Sequence, residues 1–205
     1  MWTTLRRYWL RTRVSDGPMG DFLATPLPSS RADVHATDFL ALDLETTGLD
    51  PAADQIASIG YVPIRAGRVC MTGAQHTLVR IDGSVEQSAT IHGIVDAELD
   101  DAVPLEAALT ELLDALKNRV LVLHHAPLDL RFLHAACQRL WDVPLNIRVV
   151  DTLALGQRRR PNTRSEPREG EFRLHALRHQ YGLPRYPAHN ALSDALATAE
   201  LFLAM

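Results

Sequence analysis

Two acids near the start of the main apolar part of the chain are spaced for metal binding. Asp43 and Glu45 follow the short apolar run Phe39–Leu42, which is typical of a buried strand. Because side chains alternate along a strand, both acids lie on one face at the strand's carboxyl end. Paired carboxylates there suit a hard divalent cation. From this segment alone, a solvated strand end with an ordinary turn at 46–51 explains the residues equally well.

A third acid, Asp129, heads the inward face of a predicted helix, 127–141. It shares that face with apolar residues three, four, seven and eleven positions later: Phe132, Leu133, Ala136 and Leu140. A carboxylate against a core is costly unless it is paired, lies at a helix N-terminus or binds metal. The alternative is an acid in solvent at the start of a helix.

A histidine and a fourth acid stand near the C-terminus, in the hexapeptide His189–Asp194. The buried stripe predicted for the last helix consists of Leu192, Ala195, Leu196, Ala199 and Leu203. Asp194 falls off that stripe, so the stripe alone predicts a surface position. His189 precedes the helix, where a neutral imidazole could reach into a cleft, and a surface loop histidine is the alternative.

These residues must be positioned by strands that come first and then alternate with helices. Strands are predicted at 39–42, 55–64, 68–79, 120–123 and 148–150, with a hairpin at Ala66–Gly67. Helices are predicted at 104–118, 127–141, from 151 onward, 172–181 and 191–205. The order predicts an α/β fold with one mixed, five-stranded sheet flanked by helices.

The first 36 residues differ in composition from the remainder, 37–205. Residues 2–13 predict a basic amphipathic helix, and the Gly- and Pro-rich stretch 15–30 predicts an irregular linker. In the helix, Trp2, Leu5, Trp9 and Leu10 are expected to pack on the remainder or on another subunit, while Arg6, Arg7, Arg11 and Arg13 stay in water. Adhesion to a membrane surface is the weaker alternative. A chain starting near Asp33 is expected to remain folded and active but to lose association or some stability.

Composition limits the class of protein. The 205 residues are 46% apolar and 22% charged, which fits one globular domain with an extension. Cys70 and Cys137 form no zinc or disulfide pattern, and no apolar run reaches the length of a membrane span. A cytoplasmic protein is the expectation. The net charge of −4 argues against a protein that coats duplex DNA by charge alone.

Taken together, the motifs resemble the DEDDh family of 3'→5' exonucleases over 39–205. The resemblance rests on Leu42–Leu49, His124–Asp129 and His189–Asp194, with further landmarks at Ile91–Ile94 and Val150–Ala154. Within that family the chain is similar to the epsilon-type proofreading subunit of bacterial DNA polymerase III.

Two positions of the second motif depart from the family. His125 stands where the family has Asn, and Leu128 where it has Phe. The departures affect the support of that loop and a contact to the terminal base.

The resemblance implies a ribonuclease H-like fold and two bound ions, Mg²⁺ or Mn²⁺. Asp43 would bridge the ions, Glu45 and Asp194 would complete the first, and Asp129 would hold the second through water. His189 would take the proton from the attacking water.

The same resemblance places the 3'-terminal nucleotide against the backbone of Thr46, Thr47, Gly48 and Leu49, together with His92. Gly48 is expected to supply the freedom for a backbone turn close to a ligand, since glycine can take a positive φ without strain. The Arg-rich loop 158–173 either meets phosphates further along the strand or is a solvated loop, since Glu166, Glu169 and Glu171 dilute its charge.

The predicted function is release of 5'-mononucleotides from single-stranded ends, with DNA as the expected substrate. The alternatives are a non-catalytic nucleic-acid- or polymerase-binding module, a proofreading subunit tethered to a polymerase, and a nuclease that trims RNA or short oligonucleotides. The epsilon-type subunit usually carries a tail for the polymerase, whereas the sequence ends at Met205 in the last predicted helix. On that ground a stand-alone or differently recruited nuclease is expected.

Overall fold

The computed structural model describes residues 2–81, 102–160, 166, 168–187 and 189–205, and six strands in these ranges form one mixed sheet. They are β1 (Phe39–Thr46), β2 (Ile56–Arg65), β3 (Arg68–Val69), β4 (Gln75–Leu78), β5 (Val120–Leu123) and β6 (Val149–Asp151). The order is β3-β2-β1-β5-β6, with β4 also paired to β2. β1 is antiparallel to β2 and parallel to β5, which is parallel to β6. The prediction of a mixed α/β sheet is confirmed.

The sheet has six strands instead of five because the third predicted strand is divided. A 3₁₀ turn, Met71–Gly73, separates β3 from β4, and both strands pair with β2. The turn lies beside Pro63 of β2, whose carbonyl accepts a hydrogen bond from Cys70 N. Proline has no N–H to donate, so the ladder cannot continue past this position.

Seven α-helices surround the sheet in the described ranges. They are α1 (Trp2–Arg11), α2 (Pro18–Ala24), α3 (Leu105–Leu116), α4 (Ala126–Trp141), α5 (Thr152–Arg159), α6 (Leu174–Gln180) and α7 (Ala191–Ala204). The helices predicted from residue 104 onward are all present, with ends that differ by at most two residues. None of the helices in the described part of the chain has the length and apolar character needed to cross a bilayer.

Alternation along β1 directs its side chains to two separate apolar clusters. Leu40 and Leu42 belong to the larger cluster, with α3 and α4. Phe39 and Ala41 lie in the smaller cluster with α7, where the rings of Phe39 and Phe202 are 4.8 Å apart. Asp43 and Glu45 continue the face covered by α7, which explains how this helix reaches the acids.

The N-terminal segment contributes to the larger cluster. Leu10 of α1 and Met19, Phe22 and Leu23 of α2 are buried there. The prediction of an irregular linker is therefore wrong at Pro18–Ala24, because Pro18 follows Gly17 at the start of a helix, where proline is favourable. The division of the chain into 1–36 and 37–205 stays a prediction.

Arg7 is also buried, with 4% of its surface exposed, contrary to the expectation that it stays in water. Its guanidinium donates hydrogen bonds to the carbonyls of Phe22, Leu23, Thr25 and Asn146. The last carbonyls of a helix lack partners within it, and Arg7 satisfies those at the end of α2. Leu5 and Trp9, expected to pack, are 63% and 53% exposed in the single chain.

Candidate active site

Asp43 and Glu45 lie side by side on β1, the central strand. The pairing register places Asp43 opposite Gly60 and Glu45 opposite Ser58 of β2. A β-bulge follows directly between Glu45 and Thr46. The bulge ends the regular ladder at the site and starts the turn into 47–54.

Gly60 allows α7 to reach these acids. A Cβ atom at this position would lie 2.1 Å from the carbonyl carbon of Ala191, so only glycine leaves room for the first turn of α7 against β2. This close approach carries Asp194 to the β1 acids. Sequence reasoning missed Gly60, although a glycine inside an otherwise apolar strand is a known signal of close backbone approach.

The carboxylate oxygens of Asp43, Glu45 and Asp194 lie within 4.8 Å of one another. Asp194 is half-buried, not at the surface as its position off the apolar stripe predicted. The apolar stripe of a helix shows only which of its residues pack against the core. Asp194 lies beside that stripe, on the side of α7 that meets the end of β1.

Asp129 adds a fourth carboxylate from the other side of β1. It is 8% exposed and lies on the buried face of α4 with Phe132, Leu133 and Ala136, as predicted. Its negative charge contributes to the raised pKa of Asp43. Three of the four predicted acids therefore lie together at the carboxyl end of β1, and Asp129 is near enough for its charge to act on Asp43.

Burial without a bound cation disfavours ionisation of all four acids. Desolvation, then repulsion from Asp129, Asp194 and Glu45, raises the pKa of Asp43 well above its usual range. Desolvation and the charge of Asp194 raise the pKa of Glu45 to about 7. Desolvation also raises the pKa of Asp129 to about 7, against hydrogen bonds from the backbone of Asp129 and Leu44.

For Asp194, desolvation raises the pKa, while the hydrogen bond from the His189 backbone and the charge of that residue oppose the shift. A cluster of carboxylates that resist ionisation is the electrostatic condition that a divalent cation relieves. The donor set consists of oxygen atoms only, so it fits a hard cation and not a zinc site of Cys and His.

Asp151 fixes the loop that precedes Asp129. Its carboxylate accepts hydrogen bonds from His125 N at 3.0 Å and Ala126 N at 3.2 Å, at the start of α4. The same carboxylate accepts from Leu153 N and Ala154 N and so caps α5. Because α4 has no N-cap side chain of its own, Asp151 supplies partners for its first amides.

The two residues of the second motif that differ from the family, His125 and Leu128, lie in different surroundings. His125 is exposed and has a left-handed backbone, with φ 66°. Leu128 is half-buried and packs against the larger apolar cluster. His125 therefore faces solvent at the site's edge, while Leu128 serves partly as a core residue.

His189 lies directly before α7 and is tied to Asp194 through its backbone. Its N–H donates to Asp194 Oδ2 at 2.9 Å, and its φ of 70° turns the chain into the helix. Asn190 caps α7 by accepting from Ser193 N. His189, Asp43 and Asp194 line one cavity of about 730 Å³. The sequence-predicted histidine and acids thus share an open space beside the carboxylates.

The turn after β1 is held by Asp54, which sequence reasoning missed. Asp54 Oδ2 accepts from Asp50 N at 2.8 Å, and Thr47 Oγ1 accepts from Gln55 N at 2.9 Å. A Cβ on Gly48 would lie 2.3 Å from Asp54 Oδ2, so a side chain at this position would displace the Asp54 carboxylate. The turn does not use glycine's freedom to take a positive φ, since the φ of Gly48 is not positive.

The structure describes four of the five residues predicted to contact the 3'-terminal nucleotide, namely 46–49. Thr46 Oγ1 donates to the carbonyl of Gly48 at 2.6 Å, and the Leu49 side chain is 71% exposed at the site's edge. His92 and the landmark Ile91–Ile94 lie outside the described residues.

Only part of the Arg-rich loop is described, and within it Arg160 pairs with Glu171. Arg160 Nε lies 3.0 Å from Glu171 Oε1, and Glu171 Oε2 accepts from Arg168 N at 2.8 Å. These contacts favour the solvated-loop interpretation at Arg160. Residues 161–165 and 167 lie outside the described ranges.

The chain is similar to known exonuclease and DNA polymerase III proteins. A model of the exonuclease family RNase_T matches residues 40–202. DNA polymerase III subunit epsilon of Treponema pallidum is 33% identical over 169 residues, which is 82% of this chain and 75% of the relative. DNA polymerase III PolC-type of Thermotoga petrophila is 34% identical over 166 residues, 80% of this chain. The chain spans only 12% of the length of that PolC-type relative.

Solved structures share the fold. Exonuclease X in complex with 5' overhanging duplex DNA has a TM-score of 0.60 and 24% identity, and the match covers 80% of this chain and 89% of that one. Exonuclease I has a TM-score of 0.68 and 20% identity, over 82% of this chain and 40% of that one. These matches agree with the ribonuclease H-like fold predicted from the sequence.

Proposed function

Because the chain belongs to the exonuclease family RNase_T, we propose that it is a metal-dependent 3'→5' exonuclease that releases 5'-mononucleotides from single-stranded DNA. The observation that carries the proposal is the approach of the Asp43, Glu45 and Asp194 carboxylates to within 4.8 Å. Family membership implies dependence on a divalent metal. The oxygen-only donor set favours Mg²⁺ or Mn²⁺ as that metal.

In this proposal the four acids divide the metal ligation. Asp43, Glu45 and Asp194 would hold the divalent metal directly, and Asp129 would add a further carboxylate to its surroundings. Bound ions would stabilise the charge on the attacking and leaving oxygens of an in-line displacement. The raised pKa values of these acids support the assignment, since a cation removes the repulsion that raises them.

His189 serves as the general base. The attacking water gives its proton to the imidazole as its oxygen bonds to phosphorus, and the bond from phosphorus to the 3'-oxygen of the preceding nucleotide breaks. The leaving electron pair stays on that 3'-oxygen. The shared cavity with Asp43 and Asp194 supports this role, because it gives water access to the acids beside His189.

The 3'-terminal nucleotide lies against Thr46, Thr47, Gly48 and Leu49, with His92 as the predicted further contact. The exposed Leu49 side chain offers an apolar surface for a base. Support for DNA as substrate comes from the relatives, which are DNA polymerase III proteins, and from exonuclease X, solved with DNA. The same relatives support a cytoplasmic location.

The test is digestion of matched 5'-labelled DNA and RNA single strands with Mg²⁺, with Mn²⁺ and with excess chelator. A 3'→5' exonuclease shortens the labelled strand stepwise, whereas the opposite polarity releases labelled mononucleotide at once. Asp43→Asn and Asp194→Asn should reduce the rate to background. Glu111→Gln, an acid exposed on α3, is the matched control and should keep the wild-type rate. Full activity in chelator, or in either Asn variant, would overturn the proposal.

A second candidate is a polymerase-associated proofreading role. It is favoured by the 33% identity to an epsilon subunit, of which the chain covers 75%. The exposed side chains of Leu5, Tyr8 and Trp9 on α1 offer a surface for such a partner or for self-association. Sedimentation of the chain alone and with the replicative polymerase of its source separates these possibilities, and Trp9→Ala should weaken whichever complex forms.

A further inference from the structure

Arg178 of α6 is a buried cation that the proposed chemistry does not use. Only 3% of its surface is exposed, and a charge at such a depth is costly unless it is paired and hydrogen-bonded. The side chain lines the same cavity as Asp194 and His189. Its contacts therefore bear on how the site is held together.

The guanidinium joins three segments of the chain. Nη1 donates to the carbonyl of Ala197 on α7 at 2.7 Å, and Nη2 donates to the carbonyl of Pro184 at 2.8 Å. Nη2 also pairs with Glu200 Oε2 of α7 at 2.8 Å. The central guanidinium carbon lies 4.6 Å from the centre of the Tyr186 ring.

Tyr186 and Glu200 close the arrangement. The Tyr186 hydroxyl donates to Glu200 Oε1 at 2.9 Å, so the two oxygens of one carboxylate bind one residue of α6 and one of the loop. Arg178, Tyr186 and Glu200 are called the arginine cluster below. Nη1 and Nη2 of Arg178 hold the cluster together through charge-assisted hydrogen bonds, which are the stronger class, while Arg178 Nε is buried without a hydrogen-bond partner in the described part of the chain.

The segment 183–187 leads to His189 and has no helix or strand of its own. Gly182, with φ 69°, ends α6, and the chain then continues toward His189. Leu183 N donates to the Arg178 carbonyl at the start of this segment, and residues 184–187 belong to no helix or strand, so their path depends largely on side-chain contacts. The arginine cluster provides two of them, at the Pro184 carbonyl and the Tyr186 ring, and anchors both to α7.

The same helix carries the metal-site acid. Asp194 lies six residues before Glu200 on α7, and its carboxylate binds the backbone N–H of His189. His189 is thus tied to α7 from both sides, by Asp194 at its own amide and by the arginine cluster through the preceding segment. Two anchors on one rigid helix fix a loop residue far better than one.

We propose that Arg178, Tyr186 and Glu200 form a positioning cluster that sets His189 relative to the metal site. This inference rests on the proposed function, because it assigns the cluster a role through the general base. The three would act as positioning residues, through His189. Loss of the Tyr186 or Glu200 contacts should slow the chemical step while metal binding and substrate affinity remain, because Arg178, whose charge acts on Asp194, stays in both variants.

The test is a double-mutant cycle on kcat with Tyr186→Phe and Glu200→Gln, each made in the wild-type and in the His189→Ala background. Loss of a hydrogen bond to a charged group costs enough free energy to change an equilibrium or rate constant about tenfold or more. Each variant should therefore lower kcat about tenfold with KM nearly unchanged. In the His189→Ala background the same changes should have little further effect, since coupled residues are not additive. Glu111→Gln, on an exposed acid of α3, is the matched control for Glu200→Gln.

Two measurements independent of turnover accompany the cycle. Mn²⁺ affinity, measured with the metal alone by calorimetry, should match the wild type in Tyr186→Phe. The His189 ring resonances, assigned by their loss in His189→Ala, should shift in Tyr186→Phe and Glu200→Gln. If a variant fails to fold, Arg178→Lys provides a milder change that keeps the charge but loses the planar geometry.

The outcomes separate the two proposals. A wild-type chain without metal-dependent nuclease activity overturns the proposed function itself. An active wild type whose cluster variants lower kcat equally in both backgrounds, with unmoved His189 resonances, contradicts only the positioning role and shows a general effect on stability.

Discussion

Glu45 should destabilise the metal-free protein at neutral and alkaline pH. The residue is 7% exposed, and burial raises its pKa to about 7 from an ordinary value of 4.5. Between these two values the folded chain binds a proton that the unfolded chain has released. Stability is therefore fully present below about pH 4.5 and falls as pH rises toward 7.

The magnitude follows from the difference between the two pKa values. One pKa unit corresponds to about 1.4 kcal/mol, so a pKa of about 7 instead of 4.5 costs about 3 kcal/mol when Glu45 is ionised. Water at the open side of the site screens the Glu45 charge and reduces this cost to about 2 kcal/mol. The neutral, nearly isosteric Glu45→Gln should remove that cost. For a chain of this size, the expected rise in Tm is about 4–8 °C at pH 8.

The assay is thermal and urea unfolding of wild type and Glu45→Gln in chelator at pH 5 and pH 8. The variant should be more stable at pH 8 and nearly equal at pH 5, where Glu45 is protonated. With saturating Mn²⁺ at pH 8 the order should reverse, because the wild type gains binding energy that the variant loses. Glu111→Gln, exposed on α3, should show neither effect. A Glu45→Gln protein that is no more stable than wild type at pH 8 without metal would refute the reasoning.

Three further predictions concern the base, the helix approach and the N-terminal segment. His189→Ala should lower kcat by about 10²–10⁴-fold with Mn²⁺ affinity retained, and an unchanged single-turnover rate would assign the base elsewhere. Gly60→Ala should push α7 from β2, lower stability by about 1–3 kcal/mol and lower kcat by about 10²-fold, whereas wild-type values would mean that α7 can shift freely. A chain starting at Asp33 loses the burial of Phe22 and Leu23 and should unfold at a lower temperature while retaining cleavage of short oligomers. If that chain is folded but inactive, residues 1–32 belong to the active site.

Local periodicity predicted the parts of the site that depend on neighbouring residues. The pairing of Asp43 with Glu45 follows from the alternation of a strand, and the burial of Asp129 follows from the apolar stripe of α4. Both patterns extend over a few residues, so the sequence contains them completely. The family resemblance added what the stripe could not, namely that Asp194 belongs with these acids.

Only the tertiary structure decided the features that depend on contacts between distant segments. Arg7 was expected to stay in water, and no sequence pattern singled out Arg178, but both are buried because backbone carbonyls from other elements accept their hydrogen bonds. The Gly- and Pro-rich stretch around Pro18 forms a helix because its apolar face meets α3.

The same reason applies to the geometry of the site itself. Asp194 reaches Asp43 because Gly60, more than a hundred residues earlier in the chain, leaves space for the backbone of Ala191. No local pattern records such a match, since the missing side chain and the backbone that occupies its place belong to different elements. The sequence by itself determined which residue types could bind metal and on which local face they lie. Packing between β2 and α7 determined that they meet.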